Sequence, residues 1–564
     1  MNEDFWKDKY PEGIPTEINP DQYPNIQAVL KESCQRFADK PAFINLGKTL
    51  TYGDLYRLSG DFAAWLQNYT DLQPGDRIAV QLPNLLQYPV VVFGAIRAGL
   101  VVVNTNPLYT TREMEHQFTD SGAKALVCLA NMGHLAEIVV PNTDIKTVII
   151  TEVADFLPPV KRFLINSVVK YVKKMVPAFH IPNALKLNDV LALGSKKAAR
   201  NASPASDDIA VLQYTGGTTG VAKGAMLTHR NLIANMLQAE TMMASNLGLG
   251  TETIVAPLPL YHIYAFTFHC MAMMKTGNNN LLITNPRDLP SMLKDMKKNT
   301  FTGFVGLNTL FVALCNNEEF RKLDFSNLKM TISGGMALQS STAERWTQVT
   351  GTQICEGYGL TETSPLATVN PIQKIQLGTI GIPVASTLCK VIDDDGNELP
   401  LGDRGELCIK GPQVMKGYWL REEATKAVLD DEGWLRTGDI AIIQDDGYIR
   451  IVDRKKDMIL ISGFNVFPNE IEDVLSTLPS VLQSAAIGVP DEKAGEAIKV
   501  FIVVRPGESL TKEQVIAHMR SNLTGYKVAR QIEFRDELPT TNVGKILRRA
   551  LRDEELQKLA NAAN

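Results

Sequence analysis

The sequence predicts an α/β fold with a large N-terminal domain of layered sheets and helices, a β-rich subdomain and a small α+β C-terminal domain. The chain has 564 residues, which is more than one hydrophobic core usually serves. Short apolar runs alternate with helical patterns over roughly the first 400 residues, as in layered α/β proteins. After about residue 387 the pattern changes to short β segments separated by Asp and Gly.

The alternation starts with a strand pattern at residues 76–81, a helical pattern at 85–98 and a second strand pattern at 100–103. Because a helix between two strands carries the chain back across the sheet, we expect largely parallel sheets. Further strand patterns, each followed by helix-compatible sequence, lie at residues 209–213, 253–256, 281–284, 303–305 and 329–332.

The β-rich subdomain is predicted at about residues 387–453. Two Asp-Gly pairs, at residues 395–396 and 446–447, lie between apolar runs there. Such pairs favour the tight turns of β-hairpins. We therefore expect antiparallel strands on both sides of each pair.

The charged tetrad DRKK at residues 453–456 interrupts the β pattern. We place the N-terminal domain at 1–453, the hinge at 454–456 and the C-terminal domain at 457–564; the pattern alone leaves an ordinary charged surface turn as the alternative. The C-terminal elements are predicted as a helix from Pro468, strands near 485–489 and 498–504, a helix from Thr511 and a last helix from Lys545.

Composition excludes several classes of function. The net charge of −5 gives nucleic acid no general attraction, and no DNA- or RNA-reading motif occurs. The seven cysteines form no CxxC pair, which favours buried thiols in a reducing cytosol over a disulfide framework or a zinc ribbon. The N-terminus lacks the apolar segment of a secretory signal, and Arg97 interrupts the most apolar stretch, residues 85–103. We therefore expect a cytoplasmic protein without a membrane span.

One basic segment, from Val160 to Lys186, differs from its surroundings. It contains six basic residues and no acidic one, and seven apolar residues recur at helical spacing with most cations opposite them. A basic amphipathic helix can lie on anionic lipid, here at the inner face of the cytoplasmic membrane. The alternative is a solvated helix packed on its own core.

The strongest local signal is the Gly-rich segment YTGGTTGVAKG at residues 214–224. Its glycines let the backbone bring successive N–H groups against phosphate oxygens, while its threonines and Lys223 add donors. The Walker pattern GxxxxGK[ST] is not met, because Ala222 and Gly224 flank the lysine. The segment predicts a phosphate cradle between a strand and helix-compatible sequence.

Four further motifs follow in order, GYGLTET (357–363), RTGD (436–439), DRKKDMILISGFNVFPNEIE (453–472) and PTTNVGKILRR (539–549). Together with the Gly-rich segment they closely resemble the acyl-adenylate-forming superfamily of acyl-CoA synthetases, adenylation domains and luciferases, over essentially the whole chain. Within it, residues 432–456 are similar to the signature of bacterial long-chain fatty-acid–CoA ligases. The Gly-rich segment departs from the commoner TSGTTGxPKG form at Gly216 and Ala222.

The resemblance implies that ATP activates a fatty acid as an acyl-adenylate, which then passes its acyl group to coenzyme A, feeding fatty-acid degradation and lipid metabolism. Lys545 would stabilise the charge of the first step, with Thr361 on the α-phosphate. Glu362 would hold Mg²⁺, with Thr218 as a second candidate ligand. The further residues implied to contact ATP or AMP are Tyr214, Thr215, Gly216, Gly217, Thr219, Gly220, Lys223, Gly334, Gly335, Glu356, Gly357, Tyr358, Gly359, Asp439 and Arg454.

The family's motifs also imply how these residues act. Tyr358 would stack on adenine, and Asp439 would accept both ribose hydroxyls beside Arg454. The C-terminal domain would be mobile and rotate about Lys456 between the two steps. The residues implied for the coenzyme A channel are Ser462, Gly463 and Phe464, and those for the fatty-acid gate are His262 and Phe266.

Several alternatives remain open from the sequence. The chain could be a medium-chain or aryl acid–CoA ligase, or a fatty acyl-AMP ligase that loads a carrier protein. A different class is a non-catalytic lipid-binding protein that keeps the fold. A homodimer is also open.

Overall fold

The computed structural model describes residues 3–200, 202–215, 222–244, 246–461, 464–491, 495–541 and 544–563. The helices of the first part are α1 (Glu3–Lys7), α2 (Ile26–Arg36), α3 (Tyr52–Tyr69), α4 (Gln87–Arg97), α5 (Thr111–Ser121), α6 (Gly133–Val139), α7 (Pro159–Ser167) and α8 (Leu187–Gly194). Its strands are β1 (Pro41–Asn45), β2 (Lys48–Thr51), β3 (Arg77–Gln81), β4 (Val101–Asn104), β5 (Ala123–Leu129), β6 (Thr147–Thr151), β7 (Leu185–Lys186), β8 (Ile209–Thr215) and β9 (Lys223–Thr228).

Seven of these strands form one sheet, counted over the described residues, in the order β7-β6-β5-β3-β4-β8-β9. Its strands are parallel except β9, which pairs antiparallel with β8. A π-helical turn, Val168–Val172, continues α7 without a break. The remaining strands, β1 and β2, join the next sheet.

The second part of the chain builds a sheet of nine strands within the described ranges, in the order β16-β15-β14-β13-β12-β10-β11-β1-β2. Its helices are α9 (His229–Met243), α10 (Ile263–Ala265), α11 (Met273–Lys275), α12 (Leu289–Lys298), α13 (Asn308–Asn316), α14 (Glu318–Arg321) and α15 (Ser340–Thr350). Its strands are β10 (Thr253–Ala256), β11 (Asn279–Leu282), β12 (Gly303–Gly306), β13 (Met330–Ser333), β14 (Ile354–Gly359), β15 (Leu366–Val369) and β16 (Ile382–Pro383).

Two smaller sheets complete the fold over the part of the chain that is described. The strands β17 to β20 form an antiparallel sheet in chain order, and β22-β21-β24-β23 form another, with β25 added parallel to β24. The elements are β17 (Leu388–Ile392), β18 (Arg404–Lys410), α16 (Glu422–Lys426), β19 (Leu435–Ile443), β20 (Ile449–Arg454), β21 (Ile459–Ile461), β22 (Phe464–Val466), α17 (Pro468–Ser476), β23 (Val481–Asp491), β24 (Gly495–Val504), α18 (Lys512–Asn522), β25 (Gln531–Phe534) and α19 (Arg548–Ala563).

An aromatic cluster around Trp346 supports the middle of the nine-stranded sheet. The Trp346 ring is fully buried, and its centroid lies 5.4 Å from that of Phe304 and 4.8 Å from that of Phe311. Its indole N–H donates to Thr331 Oγ1 over 3.1 Å, so the one polar atom of the ring is satisfied. Burying an aromatic side chain stabilises a fold by roughly 1.5–3 kcal/mol. The cluster therefore makes a rigid support for β12, β13 and β14.

Two further properties of the described residues bear on function. The seven cysteines all lie in the described ranges, and each is buried and forms no disulfide. Among the same residues, no helix is both long and apolar enough to cross a membrane.

The predicted α/β fold class, the largely parallel sheets and both Asp-Gly hairpins are confirmed. Three local predictions were wrong. The Gly-rich segment leads into strand β9, because residues 223–228 pair with β8, and α9 begins only at His229. The last helix begins at Arg548, since Gly544, with a φ of +85°, turns the chain before it. The strand expected at 281–284 lies two residues earlier, at Asn279–Leu282.

Candidate active site

Three parallel strands, β12, β13 and β14, end at the same edge of the nine-stranded sheet. Ligands bind at this edge in open α/β sheets, because the loops and their N–H groups are exposed there. Gly334 and Gly335 follow β13, and a φ of +81° at Gly335 favours glycine. Residues 357–359 end β14, where a Cβ at Gly359 would lie 1.8 Å from Pro365 O. The predicted glycines therefore lie together at the ligand-binding edge of the sheet.

Tyr358, Asp439 and Arg454 form one connected group beside this edge. Tyr358 Oη donates to Asp439 Oδ2 over 2.6 Å, and Arg454 Nε lies 3.1 Å from Asp439 Oδ1. Asp439 and Arg454 face each other on the paired strands β19 and β20. Burial, then the charge of Asp439, raises the pKa of Tyr358, so its hydroxyl keeps its proton at neutral pH. The residues predicted for adenine and ribose are thus brought together.

Glu356 lies beneath the loop of residues 334–338. It is buried, and its Oε1 accepts a hydrogen bond from Leu338 N over 3.1 Å. Burial raises the pKa of Glu356 to about 8, which leaves the carboxyl largely protonated at neutral pH. In the structure Glu356 holds this loop, and its contact with the nucleotide stays a prediction.

The Gly-rich segment joins β8 to β9, with Thr215 opposite Lys223 in the antiparallel register. Tyr214, at the end of β8, is buried and donates from Oη to Asp120 Oδ2 over 2.7 Å. Its side chain therefore anchors the hairpin to α5. The predicted phosphate contacts that lie outside the described residues are those of Gly216, Gly217, Thr218, Thr219 and Gly220.

Glu362 lies in the 3₁₀ turn Thr361–Thr363, between β14 and β15. Tyr418 Oη donates to Glu362 Oε1 over 2.6 Å, and Lys223 Nζ lies 5.1 Å from the centroid of the same ring. Tyr418 also pairs with Ala225 on β9, which places it between the turn and the hairpin. Sequence reasoning missed Tyr418, because the surrounding KGYW carries no recognised phosphate or metal pattern.

The donor set at Glu362 fits a magnesium ion bound together with a nucleotide. The described residues contain no group of three or more His, Cys, Asp or Glu side chains that could hold a metal alone. Mg²⁺ at nucleotide sites uses one or two carboxylates, because phosphate oxygens and water fill its other positions. Glu362, with Oε1 taken by Tyr418, supplies one such carboxylate.

Lys545 extends from the C-terminal segment to the residues at the sheet edge. A Cβ at Gly335 would lie 3.7 Å from Lys545 Cε. Burial, then the charge of Arg454, lowers the pKa of Lys545 to about 8, while Asp439 opposes the shift. The ammonium group is therefore within electrostatic reach of the Asp439 and Arg454 side chains.

The backbone around Lys545 is held in a tight turn. Thr541 N donates to Lys545 O over 2.7 Å, and Lys545 N donates to Thr541 Oγ1 over 3.0 Å. Thr309 Oγ1, from the N-terminal part of the chain, donates to Gly544 O over 3.3 Å. The turn thus contacts α13 directly, and this contact keeps the lysine beside the sheet edge.

His262 and Phe266 lie on the helical segment that follows β10. His262 Nδ1 accepts from Tyr264 N over 3.4 Å, which assigns the ring proton to Nε2. Burial, then Lys545, lowers the pKa of His262 to about 4, so the ring is neutral at pH 7. Phe266 is fully buried and begins a π-helical segment, Phe266–Ala272, which the sequence did not predict. Such segments occur frequently at functional sites.

Phe464, predicted for the coenzyme A channel, is not part of this group. Its side chain is 56% exposed, and its ring stacks on Tyr526 with centroids 4.9 Å apart. The other two predicted channel residues, Ser462 and Gly463, lie outside the described part of the chain. The lysine of the C-terminal segment therefore faces the site, while the predicted channel residue faces solvent.

A cavity of about 280 Å³ opens where the predicted hinge meets the site. Burial, then Arg454, lowers the pKa of Lys456, the predicted pivot. The residues that line the cavity are Thr437, Gly438, Arg454, Lys455 and Lys456.

Two family models match the chain. The model described as AMP-binding enzyme matches residues 30–419, and the model described as AMP-binding enzyme C-terminal domain matches residues 470–545. The chain belongs to the AMP-binding enzyme family. The first match contains the Gly-rich hairpin and the turn of Glu362, and the second ends at Lys545.

Individual relatives agree with this family. The long-chain-fatty-acid–CoA ligase of Escherichia coli O6:H1 is 52% identical over 559 residues, which are 99% of both chains. The solved structure of ATP-bound MatB from Rhodopseudomonas palustris is 28% identical with a TM-score of 0.77, over 94% of this chain and 99% of that chain. The anthranilate CoA ligase AuaEII in complex with anthranoyl-AMP has a TM-score of 0.84 over 97% of this chain and 100% of that chain. At 24% identity, it shows the shared fold alone.

Proposed function

We propose that this chain is a ligase that converts a long-chain fatty acid, ATP and coenzyme A into acyl-CoA, AMP and pyrophosphate through an acyl-adenylate. The position of Lys545 carries the proposal, because the C-terminal segment brings this cation beside Gly335, Asp439 and Arg454. The 52% identity to the E. coli ligase supports a long-chain fatty acid as the substrate.

Nucleotide binding uses the group around Tyr358. Its ring stacks on adenine, and the Asp439 carboxylate accepts from the ribose hydroxyls, since each of its oxygens has a second lone pair beyond the bonds to Tyr358 and Arg454. Glu362 would hold Mg²⁺, which would supply positive charge against the phosphates and so make pyrophosphate a better leaving group. Thr361 lies in the same turn as Glu362 and donates to the α-phosphate.

The first chemical step joins two anions. The fatty carboxylate attacks the α-phosphorus, and negative charge collects on oxygens that repel each other. Lys545, with a pKa of about 8, is largely protonated at pH 7 and neutralises that repulsion. Removing one such contact costs on the order of 3–4 kcal/mol in related cases of charge stabilisation.

The acyl chain enters along the segment that follows β10. His262 is neutral, so it binds the carboxylate as an uncharged Nε2 donor, and this leaves Lys545 as the cation there. Phe266 covers the entrance to the acyl tunnel as the gate. The hydroxyl of Thr267, the next residue, donates to Ser364 O over 2.7 Å, so the gate segment contacts the turn of Thr361 and Glu362.

The second step requires a different face of the C-terminal domain. Coenzyme A must reach the acyl carbonyl, whereas Lys545 occupies that side of the site in this structure. Rotation about Lys456 withdraws Lys545 and brings residues 462–464 to the site as the pantetheine channel. Phe464 is 56% exposed, so its side chain is accessible to coenzyme A after that rotation.

We also propose peripheral contact with the inner face of the cytoplasmic membrane through the segment from Val160 to Lys186. Seven apolar side chains of α7 and the turn after it are exposed, including Phe163 at 71% and Val172 at 72%, within a segment that carries six cations. An apolar stripe flanked by lysines matches an anionic lipid surface. The exposed apolar residues are Val160, Phe163, Leu164, Val168, Tyr171, Val172 and Met175.

A chain-length series tests the proposed function. Fatty acids of increasing length, benzoate and amino acids are incubated with ATP and coenzyme A, and AMP and thioester are both measured. We expect most activity with a long-chain acid such as palmitate. Pyrophosphate release with benzoate or amino acids, but not with palmitate, would contradict the proposal, and adenylate without thioester would favour the carrier-loading alternative. A homodimer and a role in β-oxidation remain predictions.

A further inference from the structure

Helix α17, the first helix after the predicted hinge, is capped by a residue before the hinge. Its N-cap residue, Phe467, offers no side-chain acceptor to the free N–H groups of the first turn. Asp453, on β20, accepts a hydrogen bond from Asn469 N through Oδ2 over 2.8 Å. A carboxylate at this position also lies favourably at the positive end of the helix. The cap of α17 is therefore supplied across the hinge.

Arg548 adds a second contact to the same carboxylate. Its Nη1 lies 3.6 Å from Asp453 Oδ1, while Nε and Nη2 bind the two oxygens of Glu472 at 2.9 and 2.7 Å. Glu472 Oε1 also accepts from Ala486 N over 2.8 Å. Arg548 is therefore fixed by a bidentate pair to Glu472 on α17, which is itself bonded to strand β23, and extends from there to Asp453.

Water is excluded from this contact. The Asp453 side chain is fully buried, and that of Arg548 is 16% exposed. Burial raises the pKa of Asp453 to about 6, against the attraction of Arg548 and the backbone hydrogen bonds from Asn469 and Arg454. A buried carboxylate is costly unless it is paired, so this arrangement is stable only while α17 and Arg548 remain in place.

The two sides of the contact lie next to the two residues that the reaction needs. Asp453 precedes Lys456 by three residues, and Arg548 follows Lys545 by three residues. Moving Arg548 away from Asp453 therefore also moves the turn that holds Lys545. Thr309 also contacts that turn, through a hydrogen bond to Gly544 O.

We propose that Asp453 is a positioning residue for adenylation, which holds Lys545 in the site by capping α17 and pairing with Arg548, and which separates from both before the thioester step. This inference rests on the proposed two-step function. Arg548 keeps partners after separation, because Glu472 and Asp457 both follow the hinge and Asp457 Oδ2 lies 3.6 Å from its Nη1. Asp453 and the first turn of α17 then gain water.

Half-reaction rates test the proposal. In Asp453→Ala we expect palmitate-dependent ATP–pyrophosphate exchange to fall about tenfold, as expected for the loss of a helix cap and a charged contact. Thioester formation from supplied palmitoyl-AMP and coenzyme A should stay within about twofold of wild type or rise, since Asp453 acts only in the other arrangement. Asp453→Asn keeps an acceptor for Asn469 N but no charge, and we expect an intermediate effect.

Glu555→Gln is the matched control. It disrupts the ion pair between Glu555 Oε2 and Lys499 Nζ, which lie 2.7 Å apart. Both side chains are 10% exposed, and both residues follow the hinge. We expect it to lower thermal stability without changing the ratio of the two half-reactions. Equal loss of both half-reactions in Asp453→Ala and in Asp453→Asn, or the same ratio change in Glu555→Gln, would overturn the positioning role. Wild type that fails to activate palmitate would instead overturn the proposed function.

Discussion

Asp439 is engaged on both carboxylate oxygens, by Tyr358 Oη at 2.6 Å on one and by Arg454 Nε at 3.1 Å on the other. The carboxylate therefore cannot turn freely, and the aromatic ring is fixed by its own hydroxyl. Preorganised groups lose little conformational freedom when a ligand binds. The side chains proposed to bind the nucleoside are thus held in place by one another.

Tyr358→Phe should weaken ATP binding about two- to tenfold, because the ring stays but loses a hydrogen bond of roughly 0.5–1.5 kcal/mol that orients it and Asp439. The dissociation constant for ATP is measured by titration calorimetry, and the KM for palmitate should not change. Tyr448→Phe, which removes a hydroxyl bonded to Lys374 O, is the control. Tighter ATP binding in Tyr358→Phe would mean that the tyrosine competes with the ribose for Asp439.

Lys545→Ala should reduce adenylate formation by a factor on the order of 1,000, because it removes the cation that the proposed mechanism puts beside both reacting anions. Thioester formation from supplied acyl-AMP should be largely spared. Both half-reactions are followed separately with palmitate and palmitoyl-AMP. Equal loss of both would contradict the assigned role, and Lys558→Ala, on the outer side of α19, is the control.

The adenylation half-reaction should weaken at alkaline pH. Burial and Arg454 lower the pKa of Lys545 to about 8, so the ammonium is present below pH 8 and is lost as the pH rises through that value. ATP–pyrophosphate exchange measured at subsaturating ATP should fall about tenfold for each pH unit above 8. This assay omits coenzyme A, so its thiol does not contribute. An alkaline limb near pH 10.5 would show that Lys545 is not perturbed in the free enzyme.

Neutralising the lysines beside the exposed apolar stripe should weaken membrane binding. The triple variant K170Q/K173Q/K174Q should bind vesicles of phosphatidylglycerol and phosphatidylcholine on the order of 100-fold less tightly, at about 1 kcal/mol for each cation. Cosedimentation measures the bound fraction. The triple variant K294Q/K297Q/K298Q on α12 is the control of equal charge. An equal loss of vesicle binding in the control would show that α7 has no specific role in membrane contact.

The apolar side of the stripe needs its own variant. Phe163→Ser with Val172→Ser keeps every cation and removes two side chains that are 71% and 72% exposed. We expect this double variant to bind vesicles more weakly than wild type at low and at high salt, since apolar insertion is insensitive to screening. Unchanged vesicle binding would show that the cations alone account for the membrane contact.

The sequence was sufficient for the fold class, and its motifs named the polar residues that are proposed for the site. Strand patterns such as 253–256 stand between clear breaks, and the structure places β10 at the same residues. Tyr358, Asp439 and Lys545 could be named because each lies in a motif that resembles one of the acyl-adenylate-forming superfamily. The structure brings all three to one edge of the sheet.

Contacts between distant segments could not be predicted. Tyr418 bonds Glu362 across 56 residues, and they are brought together by the pairing of the Tyr418 backbone with β9 and by the hydrogen bond from Met415 N to Glu362 O. In the sequence, Asp453 is one charge of a tetrad. Its role as the cap of α17 could not be predicted, because it depends on the position of that helix, whose own N-cap residue, Phe467, has no side-chain acceptor. The π-helical segment at Phe266 reads locally as an ordinary helix, since its register depends on the packing around it.

The burial of the seven cysteines matters for an enzyme whose proposed second substrate is itself a thiol. Burial raises the pKa of Cys34 and Cys128 to about 12, so neither forms appreciable thiolate at neutral pH. Thiol–disulfide exchange requires a thiolate and access to it. Oxidised coenzyme A, which accumulates under oxidative stress, would find no reactive sulfur on the folded chain. The protein is therefore protected from covalent trapping by its own substrate pool.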